Sequence, residues 1–148
     1  MAKKSGETID FSKASGPRGG EHVFAVRVYY EDTDMAGIVY YANYLKYIER
    51  ARSDWVREMG VDQNALRDED GIVFAVRRVE ADYLIPARFD DMLEVRTRTL
   101  AVTGARLIME QVVMRGEETL FSAVVTAVCI NEAGQPARLP ANIRLLLH

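Results

Sequence analysis

With 148 residues, a net charge of −3 and one cysteine, the chain has the length of a single domain and no basic field that would draw a nucleic acid. The lone cysteine excludes an internal disulfide and any cysteine-rich metal site, and no run approaches the ~18 apolar residues that a membrane span requires. Residues 1–20 also lack the apolar core of a secretory signal, so the expectation is a cytoplasmic protein with neither nucleic acid nor an inserted membrane segment among its associations.

Residues 1–20 are polar, rich in Gly, Ser and Lys, and without periodicity; they read as a flexible N-terminal tail ahead of one domain, residues 21–148. The β-branched and aromatic run HVFAVRVYY, residues 22–30, predicts a first strand. Tyr44, Ile48, Ala51, Trp55 and Met59 then recur at steps of three and four, with Leu45, Arg52 and Val56 beside them. That spacing is one apolar stripe of a helix over residues 43–59, roughly 25 Å long, with Asn43 as N-cap and Gly60 as stop. A charged connection follows, with a short helical turn near residues 64–67. From Val79 the chain alternates: Val79, Ala81, Tyr83 and Ile85 fall on one face, Arg78, Glu80 and Asp82 on the other, until Pro86 ends the strand.

Three more strands are expected over residues 93–100, 106–115 and 120–131, the last two joined by a turn at 116–118, and residues 143–147 form a short apolar end piece. The pattern is α+β: one helix against an antiparallel sheet whose last four strands follow as a meander. Because residues 120–131 are apolar on both faces, an interior strand is expected there, with a second copy of the chain covering what one helix leaves bare.

Several chemistries fall away at once. The two histidines, His22 and His148, stand at the margins, which leaves no basis for histidine acid–base work or a Ser-His-Asp triad. No G-x-S-x-G, P-loop or G-x-G-x-x-G is present. Asp32, Asp34 and Gly37 match loop positions one, three and six of a calcium site, yet Ala36 and Asn43 fill positions that need stronger oxygen ligands. Cys129 lies in an apolar run and reads as a small buried residue. What remains is a carboxylate beside a helix N-terminus. Asp34, ahead of the tight Met35-Ala36-Gly37 turn, can attack a carbonyl or take a proton, while free N–H groups at the helix start bind a developing negative charge. The alternative for these residues is structural: Asp32 and Asp34 making Asx turns that start the loop.

The stretch EDTDMAGIVYYANYLKYIERAR, residues 31–52, closely resembles the signature of the 4-hydroxybenzoyl-CoA thioesterase group of hotdog-fold proteins, and in particular the acyl-CoA thioesterases encoded alongside the Tol-Pal system. DYLIPARFDDML (82–93) and ARLP (137–140) extend the resemblance over about residues 22–140. It implies a hotdog fold, a five-stranded antiparallel sheet wrapped around one long central helix. It also implies side-by-side dimers, often assembled further into a homotetramer, so a dimer or tetramer is expected, and metal-free, cofactor-free hydrolysis of an acyl-CoA to a carboxylic acid and free CoA.

On this resemblance Asp34 is the catalytic carboxylate, as nucleophile or general base, and Tyr41 supplies the backbone N–H that polarises the thioester carbonyl; much of the Tol-Pal-type group has histidine where this chain has Tyr41. Tyr29, Tyr30, Gly37 and Asn43 line the substrate pocket, while Thr103 and Arg106, in the turn after the third strand, meet the CoA pyrophosphate. Glu49 is a rival carboxylate on the helix. The rival functions are a non-catalytic module of the same fold that binds acyl carriers or an envelope partner, and a hydratase or dehydratase, which normally needs a histidine-containing site.

Overall fold

The computed structural model describes residues 20–147. The expected N-terminal tail and His148 lie outside the described residues, apart from Gly20. Nine elements follow in order: β1 (His22–Arg27), the 3₁₀ turn Tyr30–Asp32, α1 (Asn43–Glu58), α2 (Gln63–Asp70), β2 (Val73–Tyr83), β3 (Met92–Val102), β4 (Arg106–Arg115), β5 (Glu118–Ile130) and α3 (Ala141–Leu147). The strands form one antiparallel sheet in the order β1-β3-β4-β5-β2.

That order corrects the meander. Only β3, β4 and β5 follow one another across the sheet. β2 pairs with β5, and β3 pairs with β1, so α1 and α2 carry the chain from one edge of the sheet to the other. The register explains why. Val79, Ala81 and Tyr83 stand opposite Val125, Ala123 and Phe121, so the apolar face read from the β2 alternation extends the inner face of β5.

The inner face is continuous. Leu93, Val95, Leu107, Met109, Val113, Phe121, Val125 and Cys129 are buried on it, and Tyr44, Tyr47, Ile48, Ala51, Trp55 and Val56 of α1 pack onto them. The predicted stripe is buried from Tyr44 to Trp55, while Leu45 beside it is exposed. Inside this core sits one buried amide, Gln111. Its amide Nε2 donates to Ile48 O and Thr97 Oγ1, each at 2.9 Å, and its Oε1 accepts from Arg52 at 3.0 Å. Both of its donors and its acceptor oxygen therefore have partners, which is the condition for a polar group to sit in a core at little penalty.

On the outer face β5 shows Ser122, Val124, Thr126, Val128 and Ile130, all half-buried, beside the ion pairs Arg98–Glu110 and Arg96–Glu94, each 2.8 Å. β5 is an interior strand, as its composition suggested. The short turn expected near 64–67 is the two-turn helix α2, capped by the Asp62 carboxylate, which accepts from Asn64 N and Ala65 N, and stopped by Gly71 at φ +67. The apolar end piece is α3, tied to the sheet by Thr99 Oγ1 donating to Leu147 O.

Candidate active site

The site is built where β1 runs out. The expected strand to residue 30 stops at Arg27, because the Asp32 carboxylate captures Tyr29 N–H at 2.9 Å and turns the chain into the 3₁₀ turn. The following loop closes as a small hairpin. Asp34 N donates to Ile38 O and Gly37 N to Asp34 O, both at 2.9 Å, with Gly37 at φ +80. A left-handed residue is required at that corner, which is why glycine stands there. Thr33 and Val39 bridge, and Tyr40 N donates to Asp32 O, so the hairpin returns the chain directly to the start of α1.

The two aspartates of this loop do different work. Asp32 is the anchor: besides Tyr29 N–H its Oδ2 accepts from the buried Tyr47 hydroxyl at 3.0 Å, and its carbonyl accepts from Asn43 Nδ2 at 2.9 Å. Burial, reinforced by that bond to Asp32, raises the Tyr47 phenol well above its ordinary range. Asp34 is exposed, and among the described residues the one hydrogen bond to its carboxylate is from Ala36 N to Oδ1 at 2.9 Å, an Asx turn. Of the two Asx turns foreseen as the structural alternative, Asp34 makes its own, whereas Asp32 reaches back to Tyr29 N–H instead, and among the described residues Asp34 Oδ2 is left unengaged.

The helix start differs from expectation in a way that matters chemically. Ala42, not Asn43, occupies the N-cap, and no side chain caps the helix. Asn43 is the first helical residue, and its side chain reaches back to the Asp32 carbonyl instead. Among the described residues neither Tyr41 N–H nor Ala42 N–H has an acceptor. Two backbone donors therefore stand free at the positive end of a 16-residue helix.

The second motif stretch forms the facing wall. Val39 N donates to Ala87 O at 2.8 Å, Ile38 bridges to Arg88, and Ala87 N donates to the buried Tyr44 hydroxyl at 3.0 Å. Asp91 holds the loop from below, accepting from Arg88 N at 2.9 Å and Arg115 at 2.7 Å; burial pushes its carboxyl up, but these donors outweigh it and the net shift is downward. Aromatic rings complete the wall: Tyr44 stacks on Phe121 at 5.0 Å, Tyr83 meets both edge-on, and Tyr41 meets Tyr83 at 6.1 Å.

Of the residues expected at the site, Asp34, Gly37, Tyr41 and Asn43 are brought together by this hairpin and helix start. Tyr29 and Tyr30 belong to the same loop but are largely exposed, and Tyr30 packs edge-on against Phe89 at 6.0 Å. Thr103 and Arg106 are joined to each other, Thr103 Oγ1 accepting from Arg106 N at 3.1 Å. They lie at the far end of β3, separated from the Asp34 loop by roughly 35 Å of strand at about 3.3 Å per residue, so one chain does not unite them with it. Glu49 lies on the exposed flank of α1, where its Oε2 accepts from Ser53 Oγ at 2.8 Å.

Residues the sequence reading passed over are Tyr47, Tyr83, Ala87 and Phe121. The signal for Tyr47 was its place three residues after Tyr44, one step off the stripe; for Tyr83 and Phe121 it was a pairing that only the strand order reveals. A cavity of about 230 Å³ opens farther along α1, lined among others by Glu49, Arg52, Ser53, Phe74 and Val76. It runs along the helix flank and not under Asp34.

A family model described as the thioesterase-like superfamily matches residues 28–146. The acyl-CoA thioesterase YbgC of Haemophilus influenzae is 38% identical over 126 residues, which cover 84% of this chain and 93% of that protein. A probable thioesterase from Bartonella henselae superposes with a TM-score of 0.78 at 41% identity, covering 82% of this chain and all of that one. A 4-hydroxybenzoyl-CoA thioesterase crystallised with 4-hydroxybenzoyl-CoA superposes with a TM-score of 0.80 at 21% identity, a likeness of fold alone.

Proposed function

The chain belongs to the thioesterase-like superfamily and has its hotdog fold, and from that premise we propose that it hydrolyses acyl-CoA thioesters to a carboxylic acid and free CoA. The reading is carried by one juxtaposition: a carboxylate with a free oxygen, Asp34, on a hairpin that delivers the chain to two unpaired N–H groups at Tyr41 and Ala42.

The chemistry follows from the parts. A thioester carbonyl seated against the Tyr41 and Ala42 N–H groups gains positive character at carbon, and the oxyanion that forms is held by them; one such donor contributes roughly 3 kcal/mol to a transition state. Asp34 then acts in one of two balanced ways. Its carboxylate attacks the carbonyl carbon, the C–S bond breaks, CoA leaves as thiolate, and water cleaves the resulting anhydride. Alternatively Asp34 takes a proton from water as the hydroxide adds, and that proton passes to the departing sulfur. Asp32 holds the hairpin in either case but touches no reacting atom.

A second copy completes the arrangement. β2 is an edge strand whose exposed residues include Val76, Val79 and Tyr83, with Leu84 just beyond its end, and the loop before α1 adds Tyr41 and Met35. An apolar, unpaired edge of this length calls for a partner strand. Pairing two copies antiparallel along β2 covers it and brings the far half of one chain toward the Asp34 end of the other. Thr103 and Arg106, remote within a chain, then contact the CoA arm from a neighbouring subunit. The further steps, a homotetramer working in the cytoplasm beside the Tol-Pal machinery, rest on the family resemblance; among the described residues no helix is long and apolar enough to cross a membrane.

Thiol release from a panel of acyl-CoAs tests the proposal. Turnover of at least one chain length is expected, and a protein that binds these thioesters but releases no thiol from any of them would be the non-catalytic module instead.

A further inference from the structure

One flank of α1 is unlike the rest of the helix. Leu45, Glu49, Arg52 and Val56 follow one another at steps of three and four, so they form a single row, and its last three members share a cavity with Phe74 and Val76 of β2. The row starts one turn beyond Tyr41 and descends into the 230 Å³ cavity, whose further lining includes the apolar Phe74, Leu107, Met109 and Ala127 and the polar Ser53 and Gln63. From Asn43 to Arg52 the descent is about 14 Å at about 1.5 Å per residue. The floor and far wall are apolar. The cation among them is not matched.

Arg52 is half-buried, and its one hydrogen bond is from a terminal nitrogen to a neutral acceptor, Gln111 Oε1, at 3.0 Å. Among the described residues it has no ion-pair partner. Glu49, the nearest acid to act on it, keeps its own Oε2 on Ser53. Burial lowers the guanidinium's proton affinity, and Glu49 offsets this only in part. A guanidinium carries five N–H donors in a planar fork that fits a carboxylate, and here most of that fork is unspent within a cavity whose far wall is apolar. Gln111 in turn is fixed by Ile48 and Thr97, so the fork is held in place before any ligand arrives.

We infer that this flank is the acyl channel and that Arg52 binds a carboxylate at its end, so the preferred ligand is an acyl chain terminated by a second carboxylate. The inference rests on the thioesterase reading for its catalytic half. A long methyl-ended chain fills the same channel but leaves the guanidinium unpaired, whereas a short acyl group never reaches it. The carboxylate has two sources, the distal end of a dicarboxylic acid thioester and a free dicarboxylate.

The experiment compares suberoyl-CoA with octanoyl-CoA, chains of equal length that differ at the far end, in the full chain and in Arg52→Met and Arg52→Lys. Wild type is expected to favour suberoyl-CoA in kcat/KM, with that preference, read as the ratio of the two substrates within each protein, reduced about tenfold or more in Arg52→Met and partly kept in Arg52→Lys. A wild-type enzyme that prefers octanoyl-CoA overturns the inference without any variant, as does a preference unchanged in Arg52→Met. Free suberate and octanoate, followed by thermal shift, separate the two sources. Stabilisation by suberate alone, lost in Arg52→Met, supports the site even if every thioester goes unhydrolysed, an outcome that would remove the thioesterase reading instead. No stabilisation by suberate together with no hydrolysis of suberoyl-CoA overturns the site.

Discussion

Replacing Tyr47 with phenylalanine tests whether Asp32 is the anchor of the catalytic hairpin. The ring is buried and phenylalanine keeps its volume, so no cavity opens and only the hydroxyl is lost. That hydroxyl donates to Asp32 Oδ2 at 3.0 Å, and a hydrogen bond to a charged acceptor contributes roughly 1.5–3 kcal/mol. Asp32 is only half-buried, so water partly replaces the lost donor and the lower figure applies, about 1.5 kcal/mol. In a domain of this size that lowers Tm by about 5 °C. Because Tyr47 also closes the loop that presents Asp34, kcat is expected to fall while the KM for a good thioester changes less. Thermal melts and steady-state kinetics of Tyr47→Phe, Asp32→Asn and the double variant measure the coupling directly. Additive effects in that cycle, or a Tyr47→Phe enzyme with unaltered Tm and kcat, would show that the hairpin is held by something else.

Gly37→Ala meets no atom within 4 Å at its new Cβ, so its cost is purely conformational, about 1–2 kcal/mol for the left-handed backbone at φ +80, and thioesterase activity should fall more than thermal stability does. Val79→Lys places a charge on the inner face of the β2 edge; light scattering should report a smaller assembly with unchanged circular dichroism, and an unchanged mass would remove β2 from the interface. Glu21 carries a carboxyl raised to about 7, burial outweighing Arg96 at 3.6 Å. A raised acid favours the folded state fully below its unfolded value, near 4.5, and loses that contribution as pH rises through about 7, so Glu21→Gln should gain stability over wild type progressively across this interval in melts taken at successive pH values.

Much of the architecture could be read from residue spacing because each signal was local. The α1 stripe, Gly60 as its stop and the alternation of β2 depend on neighbours three or four, or two, positions away, and each is found within a residue or two of its expected place. The strand order is not local. Nothing within residues 73–102 announces that β2 pairs with β5 at one edge while β3 crosses to β1, since that choice is made by matching whole faces across the sheet. The site divides the same way. Gly37 and Asp34 were marked by turn chemistry, whereas the contrast between Asp32 and Asp34 required knowing that the Tyr47 hydroxyl points at one of them. Asn43 misled for a physical reason: an amide that caps well also hydrogen-bonds well to a carbonyl, and the Asp32 carbonyl lay within reach. Leu45 and Arg52 stand beside the stripe in the spacing, and nothing local to them announces that Arg52 lines a cavity against β2 while Leu45 is exposed.

The most direct test of the central claim is thiol release by Asp34→Asn, a substitution that keeps the Ala36 hydrogen bond to Oδ1 available and removes only the charge. The account predicts that kcat falls by at least about a thousandfold while the melting temperature and assembly size remain those of the wild type. A folded Asp34→Asn protein that releases CoA at the wild-type rate would contradict it.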